Sequence, residues 1–458
     1  MVDITPMSFS LFSGIWGLYV DVKSLIKMAL QPMPYPVDWC GGGDNPVKGP
    51  TLQLSDIMKT NRRTIRSYEK RIWFLKFGIF FELSTPRPLT RQNEWQVYHN
   101  GLEQCRLADE LGFDHVWAVE HHFLEEYSHC SSPEVFLSAV AAQTRRIRIG
   151  HGAVVCVPEM NHPVRVAERA AALDIISNGR LEVGTARSST WTELGGFQVN
   201  PDDTKKTWDE FCRVLPKMWT QEEFEWQGKG FSMPSRNVLP KPYQNPHPPM
   251  WVTVTTPGTE LDAADRGLGC LGVSAAGYEE QERRTKEYHR RIQLCDPVGG
   301  VINDQVHTMN FLYCDEDYRK ARDIGVPMVN AFNVANTHLY WTREAYPTRA
   351  YQTLGNAGAG MKAKKAAVDD PSLAKGLPEG VGVGDPEHLI NTIKKWEEIG
   401  VTGINFLLNA MEMVPQEQVL ASMKLFAKEV MPRFRSKEDL AAPVYTPTSL
   451  PAFVGAEK

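Results

Sequence analysis

The sequence lacks several features that would have settled its class at once. Its eight cysteines are scattered (Cys40, Cys105, Cys130, Cys156, Cys212, Cys270, Cys295 and Cys314), with no C-x-x-C pair among them. That spacing argues against a disulfide frame or a thiolate zinc site, and for reduced packing thiols in a cytoplasmic protein. No H-E-x-x-H or H-x-H pattern accompanies its histidines, so no metal is expected. An excess of basic charge is missing too: 50 Lys and Arg face 55 Asp and Glu, for a net charge of −5. The electrostatic footprint of a nucleic-acid or membrane partner is therefore absent. The apolar N-terminal patch at residues 9–20 is too short and too interrupted to span a bilayer. Asp3 is the only charge before it and no clear small-residue cleavage site follows, so it does not read as a signal peptide.

What the sequence does contain is alternation. The clearest unit is residues 113–122, Phe-Asp-His-Val-Trp-Ala-Val-Glu-His-His, preceded by the helix stop Leu111-Gly112. Its apolar middle suits a strand buried on both faces, and it ends in a carboxylate and two imidazoles. Strands of this kind are expected near residues 77, 114, 147, 181, 250, 270, 307 and 403, with helical periodicity between them. Eight such repeats predict an α/β fold, a (β/α)8 TIM barrel, whose active site lies at the carboxyl ends of the strands. The barrel is expected to occupy residues 71–436, with a tail at 437–458. Residues 1–70 are expected to be a peripheral arm, or residues upstream of the natural start, with Met58 as an alternative beginning. The 315–402 gap between strands seven and eight is too long for one helix. Its Gly-rich 355–360 stretch, followed by Lys362, Lys364 and Lys365, predicts a lid.

Five stretches carry a resemblance. They are Glu120-His121-His122-Phe123, residues 162–168, residues 173–180, Gly184-Thr185-Ala186-Arg187, and residues 421–426 with Val430-Met431-Pro432. Together, in order over about residues 74–435, they resemble the bacterial luciferase-like flavin-dependent monooxygenases. The resemblance implies a barrel that takes reduced FMN from a separate flavin reductase. It also implies activation of O2 as a flavin hydroperoxide and oxygenation of a small hydrophobic organic substrate. Relatives that move hydride with the deazaflavin F420, and offshoots that only bind flavin, are the alternatives. A homodimer is expected.

The same resemblance assigns the site. His121 would be the acid/base, a neutral imidazole near pH 7 able to accept and return a proton. His122, on the opposite face of an extended chain, would pack behind it. Arg187, at the end of the fourth strand, could grip a phosphate bidentately, with the Ser188 hydroxyl beside it. The turn Thr255-Thr256-Pro257-Gly258 would offer backbone N–H groups to the same phosphate at a helix start. Gly152-Ala153 matches the place where the family sets a non-prolyl cis peptide under the flavin ring, although small residues there also suit plain barrel packing. Trp191, Phe197 and Trp226 would wall the substrate space. Ala186 stands where the luciferases have a cysteine, so neither light emission nor a long-chain aldehyde substrate is implied.

Overall fold

A parallel strand can follow another only if the chain crosses back over the sheet, and a helix is the usual crossover. This chain repeats that crossover until the sheet closes. The computed structural model describes residues 74–188, 190–272, 277–340, 377 and 379–435. Its elements begin with β1 (Lys76–Phe81), α1 (Arg91–Leu111), β2 (His115–Ala118), α2 (Pro133–Gln143) and β3 (Arg148–Val155). They continue with α3 (Pro163–Ile176), β4 (Leu181–Ala186), α4 (Trp191–Gly196), α5 (Thr204–Thr220), β5 (Phe224–Gln227) and β6 (Ser232–Arg236). Next come β7 (Met250–Thr253), α6 (Thr259–Asp265), β8 (Gly269–Leu271), α7 (Tyr278–Ile292) and β9 (Val306–Cys314). The last are α8 (Tyr318–Tyr340), β10 (Gly382–Gly384), α9 (Pro386–Glu398), β11 (Gly403–Leu407) and α10 (Gln416–Glu429).

Strands β1, β2, β3, β4, β7, β8, β9 and β11 pair in that order, and β11 pairs again with β1. Every pairing in the ring is parallel, so the barrel is closed and its strands are the eight expected. Two additions were not foreseen. An antiparallel hairpin, β5 with β6, precedes the proline-rich residues 240–249 that lead to β7, and β10 pairs with β9 outside the ring. Helix limits follow local chemistry. Thr90 caps α1, its Oγ1 accepting from Asn93 N at 3.1 Å, and Gly112 ends it in the left-handed region at φ 86°. The Gly-rich 355–360 stretch, the arm before residue 70 and the 437–458 tail lie outside the described residues.

The barrel is solid because large and absent side chains alternate around it. Asn405, Trp117, Trp251 and His307 each sit in register with a glycine on the neighbouring strand: Gly78, Gly150, Gly269 and Gly403 respectively. A Cβ at any of these glycines would fall on the facing side chain. Trp117 and Trp251 meet edge to face with centroids 5.3 Å apart, and His307 sits 4.6 Å from the Trp251 ring. Beneath them a buried ion pair joins Arg148 to Glu182, whose other oxygen accepts from Trp251 Nε1 at 2.7 Å.

Midway along β3 the register with β4 shifts between His151 and Val154. At this bulge the His151 carbonyl comes so close to Gly184 that a Cβ there would overlap its oxygen. Gly184→Ala should therefore destabilise the fold by about 1–3 kcal/mol, the usual cost of overpacking. Urea unfolding checks this, and an unchanged midpoint would contradict the close approach.

Candidate active site

The site grows from the carboxyl end of β2. Glu120 N still donates to Ala153 O at 3.1 Å, keeping the chain beside β3 for two residues past the strand. His121 N then donates to Cys130 O at 3.0 Å, turning the chain across the barrel mouth. The two imidazoles part as alternation requires. His122 Nε2 lies 3.1 Å from Glu120 Oε1, and its ring packs on Phe197 with centroids 4.9 Å apart. His121 turns the other way, into a nest of carboxylates.

Two of those carboxylates touch the His121 ring. Nδ1 lies 3.0 Å from Glu193 Oε1, and Nε2 lies 3.6 Å from Glu82 Oε2. Glu193, on α4, also accepts His122 N at 3.1 Å, Ser188 Oγ at 2.8 Å and Thr190 Oγ1 at 2.8 Å. Glu82 follows β1 directly, and Tyr127 OH donates to its Oε1 at 3.1 Å. Glu120 completes the group, accepting Val155 N at 2.8 Å and Asn161 Nδ2 at 2.7 Å.

This nest corrects the expectation of a neutral His121. Burial disfavours the imidazolium, but Glu193, Glu82 and Glu120 outweigh it and raise His121 to about 9. Glu193 shifts the opposite way. Burial would raise its carboxyl, yet the His121 charge and the Ser188 and Thr190 hydroxyls bring it below the ordinary range. At neutral pH His121 is a cation whose side chain keeps 19% of its surface exposed, so it can be reached from the mouth.

The other expected cofactor-binding residues lie on β3 or just after β4 and β7. Arg187 follows β4, whose end is anchored by Thr185 Oγ1 donating to Trp251 O at 2.8 Å and accepting from Trp208 Nε1 at 3.0 Å. Its guanidinium is half-buried and makes no hydrogen bond or ion pair among the described residues. Ser188 takes a positive φ of 63° and gives its hydroxyl proton to Glu193, so it joins the His121 nest. Thr255, Thr256 and Gly258 lie exposed in the turn before α6, and among the described residues beyond its chain neighbours no heavy atom lies within 4 Å of a Cβ built on Gly258. The Gly258 N–H is already engaged, donating to Glu260 Oε2 at 2.9 Å.

Gly152-Ala153 departs from expectation. The cis peptide bonds among the described residues are Arg87-Pro88, Leu239-Pro240 and Asn245-Pro246, so Gly152-Ala153 is trans and the register shift of β3 falls there instead. A Cβ on Gly152 would stand 3.1 Å from Phe80 and 3.3 Å from Trp117, which is barrel packing. Of the expected walls, Trp191 and Phe197 pack on a small apolar cluster of Val155, Val157, Leu194 and Val199 at the end of β3. Trp226 is committed elsewhere: its Nε1 donates to Glu210 at 2.5 Å and its ring lies under Lys217. Phe123, held at a positive φ of 64° and exposed, faces Phe197 with ring centroids 5.4 Å apart.

Glu82 and Glu193 were not foreseen. A carboxylate directly after an apolar strand was the signal that singled out Glu120, and Phe81-Glu82 carries it as well. Glu193 gives no such sign; only closure of the barrel brings it to His121.

A family profile described as luciferase-like monooxygenase matches residues 73–403. The chain belongs to that family. It is accordingly an oxidoreductase enzyme. It is 34% identical over 376 residues to 4-hydroxyprotoasukamycin monooxygenase of Streptomyces nodosus subsp. asukaensis, covering 80% of this chain and 94% of the relative. The oxygenase component of flavin-dependent trigonelline monooxygenase from Acinetobacter baylyi is 24% identical over 371 residues, covering 80% of this chain and 97% of its own. Among solved structures, monooxygenase RslO1 from Streptomyces bottropensis superposes with a TM-score of 0.64 at 28% identity, over 79% of this chain and 100% of that one. No helix of the described residues is long and apolar enough to cross a membrane.

Proposed function

We propose that this chain is the oxygenase of a two-component monooxygenase. It would take reduced FMN from a separate flavin reductase and place one atom of O2 in a small hydrophobic organic molecule. The other oxygen atom leaves as water, and the two electrons it needs come from the reduced flavin, which is released oxidised. The carrying observation is Arg187: a cation at the carboxyl end of a barrel strand, without a protein partner among the described residues and next in sequence to Ser188 of the His121 nest. An isolated half-buried guanidinium is costly to hold unless an anion completes it, and a flavin mononucleotide phosphate does so bidentately. Thr255 and Thr256, exposed in the turn before α6, offer further donors. The bound flavin supplies the electrons for O2. The protein's part is to hold the phosphate, to bring His121 to the mouth with a proton on it, and to shelter the substrate beside Phe123, Phe197 and Trp191.

Arg187→Ala should weaken FMN binding by about 1.5–3 kcal/mol, the scale of a hydrogen bond to a charged group. Riboflavin, which has no phosphate, should bind parent and variant alike. Fluorescence titration with both compounds tests this, and equal losses would remove the phosphate role. Oxygen uptake with reduced FMN then separates this reading from its alternatives. Hydride transfer with F420 and no oxygen uptake would mean the deazaflavin reaction, and binding without turnover a flavin carrier.

A further inference from the structure

Of the three carboxylates around His121, two are fully committed. Glu193 accepts four hydrogen bonds, from the His121 ring, the His122 backbone, Ser188 and Thr190. Glu120 accepts from Val155 N and Asn161 and also faces His122. For Glu193 such a set of donors favours the charged form. Glu82 is different. It is 4% exposed, Tyr127 OH holds its Oε1, and Oε2 is buried without a hydrogen-bond partner among the described residues, pointing at His121 Nε2 from 3.6 Å. A buried carboxylate oxygen with nothing bonded to it is expensive unless it can take a proton.

We propose that Glu82 is the proton partner of His121, a positioning residue that exchanges one proton with the imidazole during turnover. The step is balanced within the pair. The Nε2–H bond of the imidazolium breaks and an O–H bond forms on Glu82 Oε2, so an ion pair becomes a neutral acid beside a neutral imidazole. Reversal restores both charges. Glu193 stays ionised throughout and holds Nδ1, so the ring keeps its orientation while Nε2 gains or loses its proton. This gives His121, otherwise a fixed cation, a route to the neutral form that an acid/base needs. The Glu82 carboxyl stands raised to about 7: burial, with the Glu193 charge, pushes it up and outweighs the downward pull of the His121 charge and the Tyr127 hydroxyl. Cys130 and Glu120 are the other titratable groups close to the pair. The inference rests on the proposed oxygenase reading only for the reaction the proton serves.

Glu82→Gln tests it, because glutamine keeps the volume and the Tyr127 acceptor but removes the charge and the exchangeable proton. His121 is followed by nuclear magnetic resonance of the full chain labelled in histidine, which needs no turnover. The parent should keep its imidazolium up to about pH 9. In Glu82→Gln the midpoint should fall by about one unit, the effect of losing a neighbouring opposite charge. The pH profile of reduced-flavin oxygen uptake should lose its ionisation near 7, and Glu82→Asp should restore part of it. As a check free of mutation, infrared difference spectra of the parent between about pH 6 and 8 should show a protonated carboxyl disappearing. An unmoved His121 midpoint in Glu82→Gln, or no such carboxyl band in the parent, overturns the proposal. A shifted midpoint without oxygen uptake supports the pair and refutes the oxygenase reading. Oxygen uptake with an unshifted midpoint does the reverse.

Discussion

His121→Ala should lower substrate-dependent oxygen uptake by about 10²–10⁴-fold, the usual worth of a positioned proton-transfer group. FMN affinity should hardly change, because the phosphate is assigned to Arg187 and the ring of His121 binds protein carboxylates. The same variant should show a pH signature in stability. His121 is raised from 6.5 to about 9 in the folded protein, so its contribution is fully present below about pH 6.5 and is lost as pH rises through about 9. The stability deficit of His121→Ala should therefore be greatest in the acidic range and should fade above pH 9. His122→Ala is the control. It removes a contact to Glu120 and the packing on Phe197, and it should act on stability rather than turnover. Normal turnover in His121→Ala, or a folded but inactive His122→Ala, would reverse the assignment.

Arg148→Met should be the most destabilising single change in the barrel floor. Arg148 and Glu182 are 4% and 2% exposed, and Arg148 also donates to Leu181 O and Gln244 Oε1, each at 3.1 Å. Removing one partner strands the other charge in the interior, at a cost of about 3–5 kcal/mol. Acid should narrow the gap. Burial would raise Glu182, but Arg148, His115 and Trp251 hold it near 2, below its ordinary 4.5. Its contribution is therefore present above about pH 4.5 and is lost as pH falls through about 2. Urea unfolding of parent and variant at neutral pH and at about pH 3 tests both statements. A small deficit that does not depend on pH would show that the ion pair is not what holds the floor.

The barrel was legible because its strands are short apolar runs set off by helix stops such as Leu111-Gly112 and Asn178-Gly179, with Gly112 and Gly179 both at positive φ. Periodicity reports burial, and all eight barrel strands are buried. The hairpin escaped because β5 and β6 lie largely exposed and β6 contains Pro234, so they carry no apolar signature. β10 escaped because three residues, Gly382-Val383-Gly384, are too few to show a period. At the site, the residues near strand ends were readable: Arg187 follows β4 directly, and Glu120 and His121 lie within three residues of the end of β2. Their charge states were not. The protonation of His121 depends on Glu193, seventy-two positions away in sequence and 3.0 Å away in space, and on Glu82, from a third strand.

Glu193 also has a consequence for anyone who would re-engineer this barrel. One side chain fastens the loop after β2, through His121 and His122, to the loop after β4, through Ser188 and Thr190. The two loops are thus a single cassette with one bolt. A transplant that exchanges the segment around 187–193 for that of another barrel, to change what is gripped there, will also reset the proton on His121 unless an acid is kept at position 193. Libraries that vary both loops together and leave that acid in place should retain more working variants than libraries that vary either loop alone with it free to change.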